Sequence, residues 1–205
     1  MVSKLSDNGV AGSILANGAL SGGGEEYKIR RKLIENDVIE AIVILPRSMF
    51  YTTDISVTLW ILNKNKKART AQLPDETRNY RNRANEILFL DLREKGIPFE
   101  KKFTQFSEDN ITEITAAYHN WQADLEKYKN VSEFCYAATL EEVKAKDFSL
   151  VPSKYIALVN RDENIDFDDK MKVLPTEISD LLLQEAQSKN DLLSVFNELG
   201  FPLNK

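Results

Sequence analysis

The chain has 205 residues, 42% of them hydrophobic, with 27 Lys and Arg against 32 Asp and Glu for a formal charge of -5. That length can bury one sizeable core and a smaller appended unit, and the acidic balance excludes a protein that coats nucleic acid by charge alone. The single cysteine, Cys135, excludes an internal disulfide framework, and with a single histidine it makes a zinc site of those ligand types unfavourable. No apolar run approaches the roughly 20 residues needed to span a bilayer, and nothing near Met1 has the form of a secretory signal, so a cytoplasmic protein is expected.

Residues 10–15 (VAGSIL) read as a short buried strand, followed by the glycine turn at Gly22, Gly23 and Gly24 and a helix over about residues 25–36. Glu25 and Glu26 fall in the first turn of that helix and Arg30, Arg31 and Lys32 later, an order that suits the helix dipole. Residues 38–45 (VIEAIVIL) form a nearly continuous apolar run ended by Pro46, as a strand covered on both faces would. Strand, helix and strand make a βαβ unit. Residues 55–62 (ISVTLWIL) and 87–90 predict two more strands, so the first 95 residues read as part of a covered α/β sheet with a polar insertion over 63–85.

From Ser107 the period changes. Ile111, Ile114, Tyr118, Trp121, Leu125 and Tyr128 recur at spacings of 3, 4, 3, 4 and 3, which predicts a helix with one apolar stripe. Thr139-Leu140-Glu141-Glu142 fits a capping box for a short helix. Ile178, Leu181 and Leu182, then Leu192, Val195, Phe196 and Leu199, predict two amphipathic segments with Gly200 and Pro202 as the stop. The acidic stretch over residues 160–169 reads as an exposed linker.

Candidate chemistry is sparse. No G-x-G-x-x-G runs through Gly22 and Gly24 and no lysine follows Gly23, so the glycine turn fails the strict phosphate motifs, although the following helix start could attract an anion. Ala19-Leu20-Ser21-Gly22-Gly23 is a partial nucleophile elbow whose only available base is His119, on the predicted helix. Asp162, Asn164, Asp166 and Asp168 alternate like calcium ligands, but Phe167 stands where the loop needs glycine and Val173 where it needs glutamate. Lys64, Lys66, Lys67, Arg69, Arg78, Arg81 and Arg83 face only Asp75 and Glu76 in the insertion, which makes either a phosphate-contacting loop or a solvated one.

Taken in order, residues 9–20 (GVAGSILANGAL), 28–35 (KIRRKLIE), 39–46 (IEAIVILP), Phe50-Tyr51 and 59–64 (LWILNK) resemble one family, the modification (M) subunit of type I restriction-modification systems. The resemblance continues through 87–91 (ILFLD), the Trp121 helix and 150–155 (LVPSKY), and so covers roughly residues 1–155. Ala16 stands where the family usually has a proline before Asn-Gly. The family's members are S-adenosylmethionine-dependent adenine DNA methyltransferases, with a glycine-containing cofactor motif and an Asn-Pro-Pro-aromatic motif upstream of this region. The six prolines here include no adjacent pair, so the second motif is absent.

The resemblance therefore implies the C-terminal part of a Rossmann-like α/β methyltransferase sheet followed by a helical tail, with no catalytic residue and no bound cofactor of its own. It divides the chain into a partial methyltransferase domain (1–105), a helical extension (106–159), an acidic linker (160–174) and a C-terminal helical tail (175–205). An aromatic of the target-base loop would fall at Phe50 or Tyr51, with Thr52 and Thr53 beside it, because a base must leave the stack before its amino group is reachable. The basic insertion would then lie toward DNA or a neighbouring subunit. The tail, through Ile178, Leu181, Leu182, Leu192 and Phe196, would contact the specificity (S) subunit or pack on its own body, and a restriction (R) subunit is a further candidate partner. The competing expectations are a non-catalytic interaction module that binds through its tail, and a small hydrolase using Ser21 and His119.

Overall fold

The structure, a computed structural model, describes residues 2–72, 77–159 and 167–201. Strand β1 (Val10–Ala16) leads through a 3-10 turn at Asn17–Leu20 into helix α1 (Gly24–Glu35). Strands β2 (Ile39–Ile44) and β3 (Val57–Asn63) follow, then the hairpin of β4 (Arg69–Gln72) and β5 (Thr77–Tyr80), and strand β6 (Glu86–Asp91). A second hairpin, β7 (Ile97–Phe99) with β8 (Phe103–Gln105), precedes helix α2 (Glu108–Ala123), strand β9 (Cys135–Thr139) and helix α3 (Leu140–Ala145). Helix α4 (Phe167–Glu198) belongs to a second compact unit, residues 160–205, distinct from the first at 1–159. Among the described residues no helix is long and apolar enough to cross a membrane.

Five strands form one mixed sheet in the order β1-β3-β2-β6-β9, in which β2 and β6 run parallel and every other neighbouring pair antiparallel. Alternation sorts its side chains into two cores. Ile42, Trp60, Ile87 and Phe89 meet Leu20, Ile34, Val143 and Leu150 on one face. Ala41, Val43, Leu88 and Leu90 meet Trp121, Tyr128 and Phe134 on the other. The strand read as covered on both faces is β2, buried at all six positions.

One charge lies within that strand. Ile39 pairs with Leu62 and Ala41 with Ile61, so Glu40 is the extra residue of a β-bulge, the device that re-aims a side chain out of strict alternation. Its carboxylate is fully buried and accepts from Asn63 Nδ2 at 2.6 Å, Gln122 Nε2 at 3.0 Å and Arg83 Nε at 3.2 Å. Arg83 Nη2 adds a charge contact 3.1 Å from the same carboxylate but lies outside hydrogen-bonding geometry. Burial first, then this carboxylate, raise the pKa of the Tyr118 phenol.

Several expectations change. Strand β1 pairs only with β3 and is not buried: Val10 and Ile14 are 53% and 52% exposed. Its direction relative to β2 is still that of a βαβ unit, but β3 is inserted antiparallel between the two. The insertion is largely the β4–β5 hairpin rather than irregular chain, with Asp75 and Glu76 outside the described residues. Residues 106–159, where the sequence predicts a helical extension, also contribute β9, paired with β6, to the sheet. Helix α2 opens after Ser107, where the period changes, and Ser107 and Asn110 cap it with a capping box that the apolar spacing does not show; the helix stops before Leu125 and Tyr128. The capping box at Thr139 and Glu142 is present at α3.

Two tail segments are one helix, α4, which runs past Pro175 although that residue can donate no backbone hydrogen bond. Gly200, at φ +80, ends it as expected, while Pro202 lies outside the described residues. Residues 160–166, with Asp162, Asn164 and Asp166 of the calcium-like run, lie outside them too, as does the side chain of Asp168.

Removing one member of a buried ion pair strands the other charge. Arg83→Met is therefore expected to cost about 3–5 kcal/mol in urea unfolding. A loss below about 1 kcal/mol would show that the pair does not hold the sheet end together.

Candidate functional site

In open α/β sheets ligands gather outside the carboxyl ends of parallel strands. Here those are the ends of β2 and β6, and two loops meet there. The segment over residues 46–56 continues the β2–β3 hairpin: Leu45 N–H donates to Val57 O at 2.9 Å and Ser48 N–H to Asp54 O at 3.2 Å. A turn closes it, with Thr53 N–H bonded to Phe50 O at 3.3 Å, so Tyr51 and Thr52 occupy the tip. The β7–β8 hairpin lies alongside, Thr104 N–H donating to Ser48 O at 3.0 Å.

The structure separates the two aromatic candidates. Phe50 is half-buried and packs with Met49 and Leu59 on the α2 side of the sheet. Tyr51 is 76% exposed, its ring held edge-on to Phe103 with centroids 4.7 Å apart. Thr52 is exposed and Thr53 half-buried, its hydroxyl accepting from Ile55 N–H at 3.4 Å. Arg47 and Asp54 flank the loop as an exposed pair at 3.7 Å, a contact of little energetic weight.

The basic insertion is elsewhere. Strand β3 runs seven residues from the loop over residues 46–56 to Asn63, so Lys64 begins about 20 Å from that loop. Lys66 and Arg83 are buried and do not face solvent. Lys66 Nζ donates to Glu86 O at 2.7 Å and Ile39 O at 3.0 Å and pairs with Asp37 at 2.5 Å. Burial pulls its pKa down, and Asp37 opposes that pull. Arg81 forks onto Glu86 at 2.6 and 2.9 Å and also bonds Trp121 O. Arg78 lies 3.1 Å from His119, Arg69 bonds Asn65 O at 2.8 Å, and Lys64 bonds Leu5 O at 2.6 Å. Lys67 is exposed. As a DNA-contact set, the seven are therefore corrected for Lys66 and Arg83, whose charges serve the buried polar cluster.

The glycine turn presents carbonyls inward. Buried Arg30 donates from Nη1 to Gly22 O at 2.9 Å and Ala19 O at 3.2 Å, and from Nε to Phe148 O at 2.9 Å, and burial lowers its pKa. A turn whose carbonyls converge on an internal guanidinium does not fit an anion or S-adenosylmethionine cradle. Ser21 and His119 do not form a dyad: Leu20 packs on one face of the sheet, Trp121 of the His119 helix on the other. In α4, Ile178, Leu181, Leu182 and Leu192 are exposed and Phe196 half-buried.

Residues 1–164 match the family described as N-6 DNA Methylase. The chain is 32% identical over 203 residues to the type I restriction enzyme HindI methylase subunit of Haemophilus influenzae, spanning 98% of this chain and 42% of that protein. It is 35% identical over 161 residues to the MjaVIII methylase subunit of Methanocaldococcus jannaschii, 78% of this chain and 24% of that one. Its fold is similar to the type I methyltransferase subunit from Streptococcus thermophilus, at a TM-score of 0.59 and 25% identity over 74% of this chain and 27% of the other. The EcoKI M protein shares the fold at a TM-score of 0.52 and 16% identity, over 90% and 42%. The chain belongs to the N-6 DNA methylase family. Within it, the similarity is to type I methylase (M) subunits, of which the chain spans less than half the length.

The loop packing predicts a split between neighbours. Phe50→Ala should lose about 2 kcal/mol of stability, Tyr51→Ala no more than about 0.5 kcal/mol, both read by thermal or denaturant unfolding. Equal losses would contradict the assignment of Phe50 to the core and Tyr51 to the surface.

Proposed function

We propose that the chain is the C-terminal portion of an adenine-specific M subunit, supplying the target-base loop and subunit contacts to a protein that transfers a methyl group from S-adenosylmethionine to DNA. The observation that carries this reading is β1, an apolar strand paired on one side only, exposed along one face and only partly covered along the other. An open edge of that kind invites another strand. In the whole subunit it would be met by the part bearing the cofactor and Asn-Pro-Pro-aromatic motifs.

In this reading the extruded adenine stacks on Tyr51, the exposed aromatic at the loop tip, while Thr52 and Thr53 line the same turn and Phe50 anchors it. The exposed Lys64 and Lys67, at the far end of β3, face a neighbouring subunit rather than the target base. The apolar stripe of α4 docks on helices of an S subunit, which reads the DNA sequence. An amphipathic helix with Ile178, Leu181, Leu182 and Leu192 uncovered has the pattern for such a contact. A DNA substrate implies a cytoplasmic protein.

The test is methyl transfer from labelled S-adenosylmethionine to DNA. The chain alone should give none, and activity should appear when it is combined with a family M-subunit half containing the two missing motifs and an S subunit. Deleting residues 167–201 should abolish S-subunit retention. Robust transfer by the chain alone would overturn the proposal.

A further inference from the structure

The β7–β8 hairpin is built to a fixed position against the target loop. Gly96, at φ +104, lets the chain fold back: a Cβ there would meet Thr104 Cγ2 at 2.7 Å and Gln105 O at 3.0 Å. At the tip, Glu100 and Lys101 are consecutive non-glycine residues at φ 47 and 62, a conformation that few side chains adopt without tertiary support. The support is the Thr104 bond to Ser48 and the Tyr51–Phe103 ring contact.

Cations around this hairpin differ in kind. Arg93 is held by Asp91 at 2.6 Å and Lys95 by Glu113 at 2.7 Å, whereas Lys101 and Lys102 are exposed at the tip with no ion pair among the described residues. An exposed aromatic ring beside two unengaged lysines is the pairing by which proteins hold an unstacked base and its backbone: the ring takes the base's face, the cations its phosphates. A peptide ligand would instead call for an apolar groove or a free strand edge at this point.

We propose that the β7–β8 hairpin is the second wall of the target-base loop, with Phe103 positioning Tyr51 for stacking and Lys101 and Lys102 binding DNA phosphates beside the extruded base. The inference rests on the reading of residues 50–53 as the target-base loop. Phe103 acts through Tyr51 and is a positioning residue; Lys101 and Lys102 touch the backbone and carry no sequence information.

The test uses the full chain and a short duplex with 2-aminopurine opposite an abasic site, an end label reporting binding by anisotropy and 2-aminopurine emission reporting stacking. The wild-type chain should bind and quench the emission, and Tyr51→Ala should lose the quenching. The Lys101→Ala/Lys102→Ala pair should lower the slope of log affinity against log salt by about two while circular dichroism stays unchanged. Phe103→Ala should keep the salt slope and lose most of the quenching, and Phe103→Tyr should restore it. If Tyr51→Ala loses quenching but the lysine pair keeps its slope or Phe103→Ala keeps its quenching, the hairpin's role is overturned and the target loop stands. If the wild type does not bind, or Tyr51→Ala quenches normally, the loop reading fails and the hairpin's role with it.

Discussion

A carboxylate on a strand buried along its whole length must be neutralised where it stands, because isolated ionised groups are very costly in an apolar interior. Glu40 is that group, and three separate stretches of chain are drawn in to meet it: the end of β3 through Asn63, the chain leading into β6 through Arg83, and α2 through Gln122. Lys66 closes the same end of the sheet by bonding the carbonyls of Ile39 and Glu86. The β4–β5 hairpin is thereby tied at both its roots. Burial of so many polar groups is weak evidence for net stability, but it fixes which strand ends come together.

With one end of the sheet closed by this cluster, the other end is left to loops. Residues 46–56 and the β7–β8 hairpin emerge from the carboxyl ends of the parallel pair β2 and β6, where α/β sheets place their ligands. The polar chemistry of the chain is thus divided along β3: charge that holds the fold at one end, an exposed aromatic and exposed cations at the other.

Much of this was legible in the sequence because periodicity reports burial. The run VIEAIVIL is buried on both faces, a helix begins after Ser107 where the period changes, and Thr139 caps a helix as its spacing implies. The charge cluster was misleading for a physical reason: composition counts cations but not their partners, and Arg83 is matched by a carboxylate 43 residues away in sequence. The bulge at Glu40 is equally silent, since one charged residue in an apolar run gives no sign of the register shift that turns it toward α2. Strand β1 looked buried because apolar residues say that a surface needs covering, not what covers it. The β7–β8 hairpin is too short, at three residues a strand, to leave a pattern, and the Tyr51–Phe103 contact depends on its position.

The open edge of β1 is the point at which the account can be checked most directly. Hydrogen exchange of the Val10–Ala16 amides should show those not bonded to β3 exchanging rapidly in the chain alone, then becoming protected when the motif-bearing half of an M subunit is added. Protection of the whole strand in the chain alone, or no change on adding that half, would contradict the claim that this sheet is completed by the rest of a methyltransferase subunit.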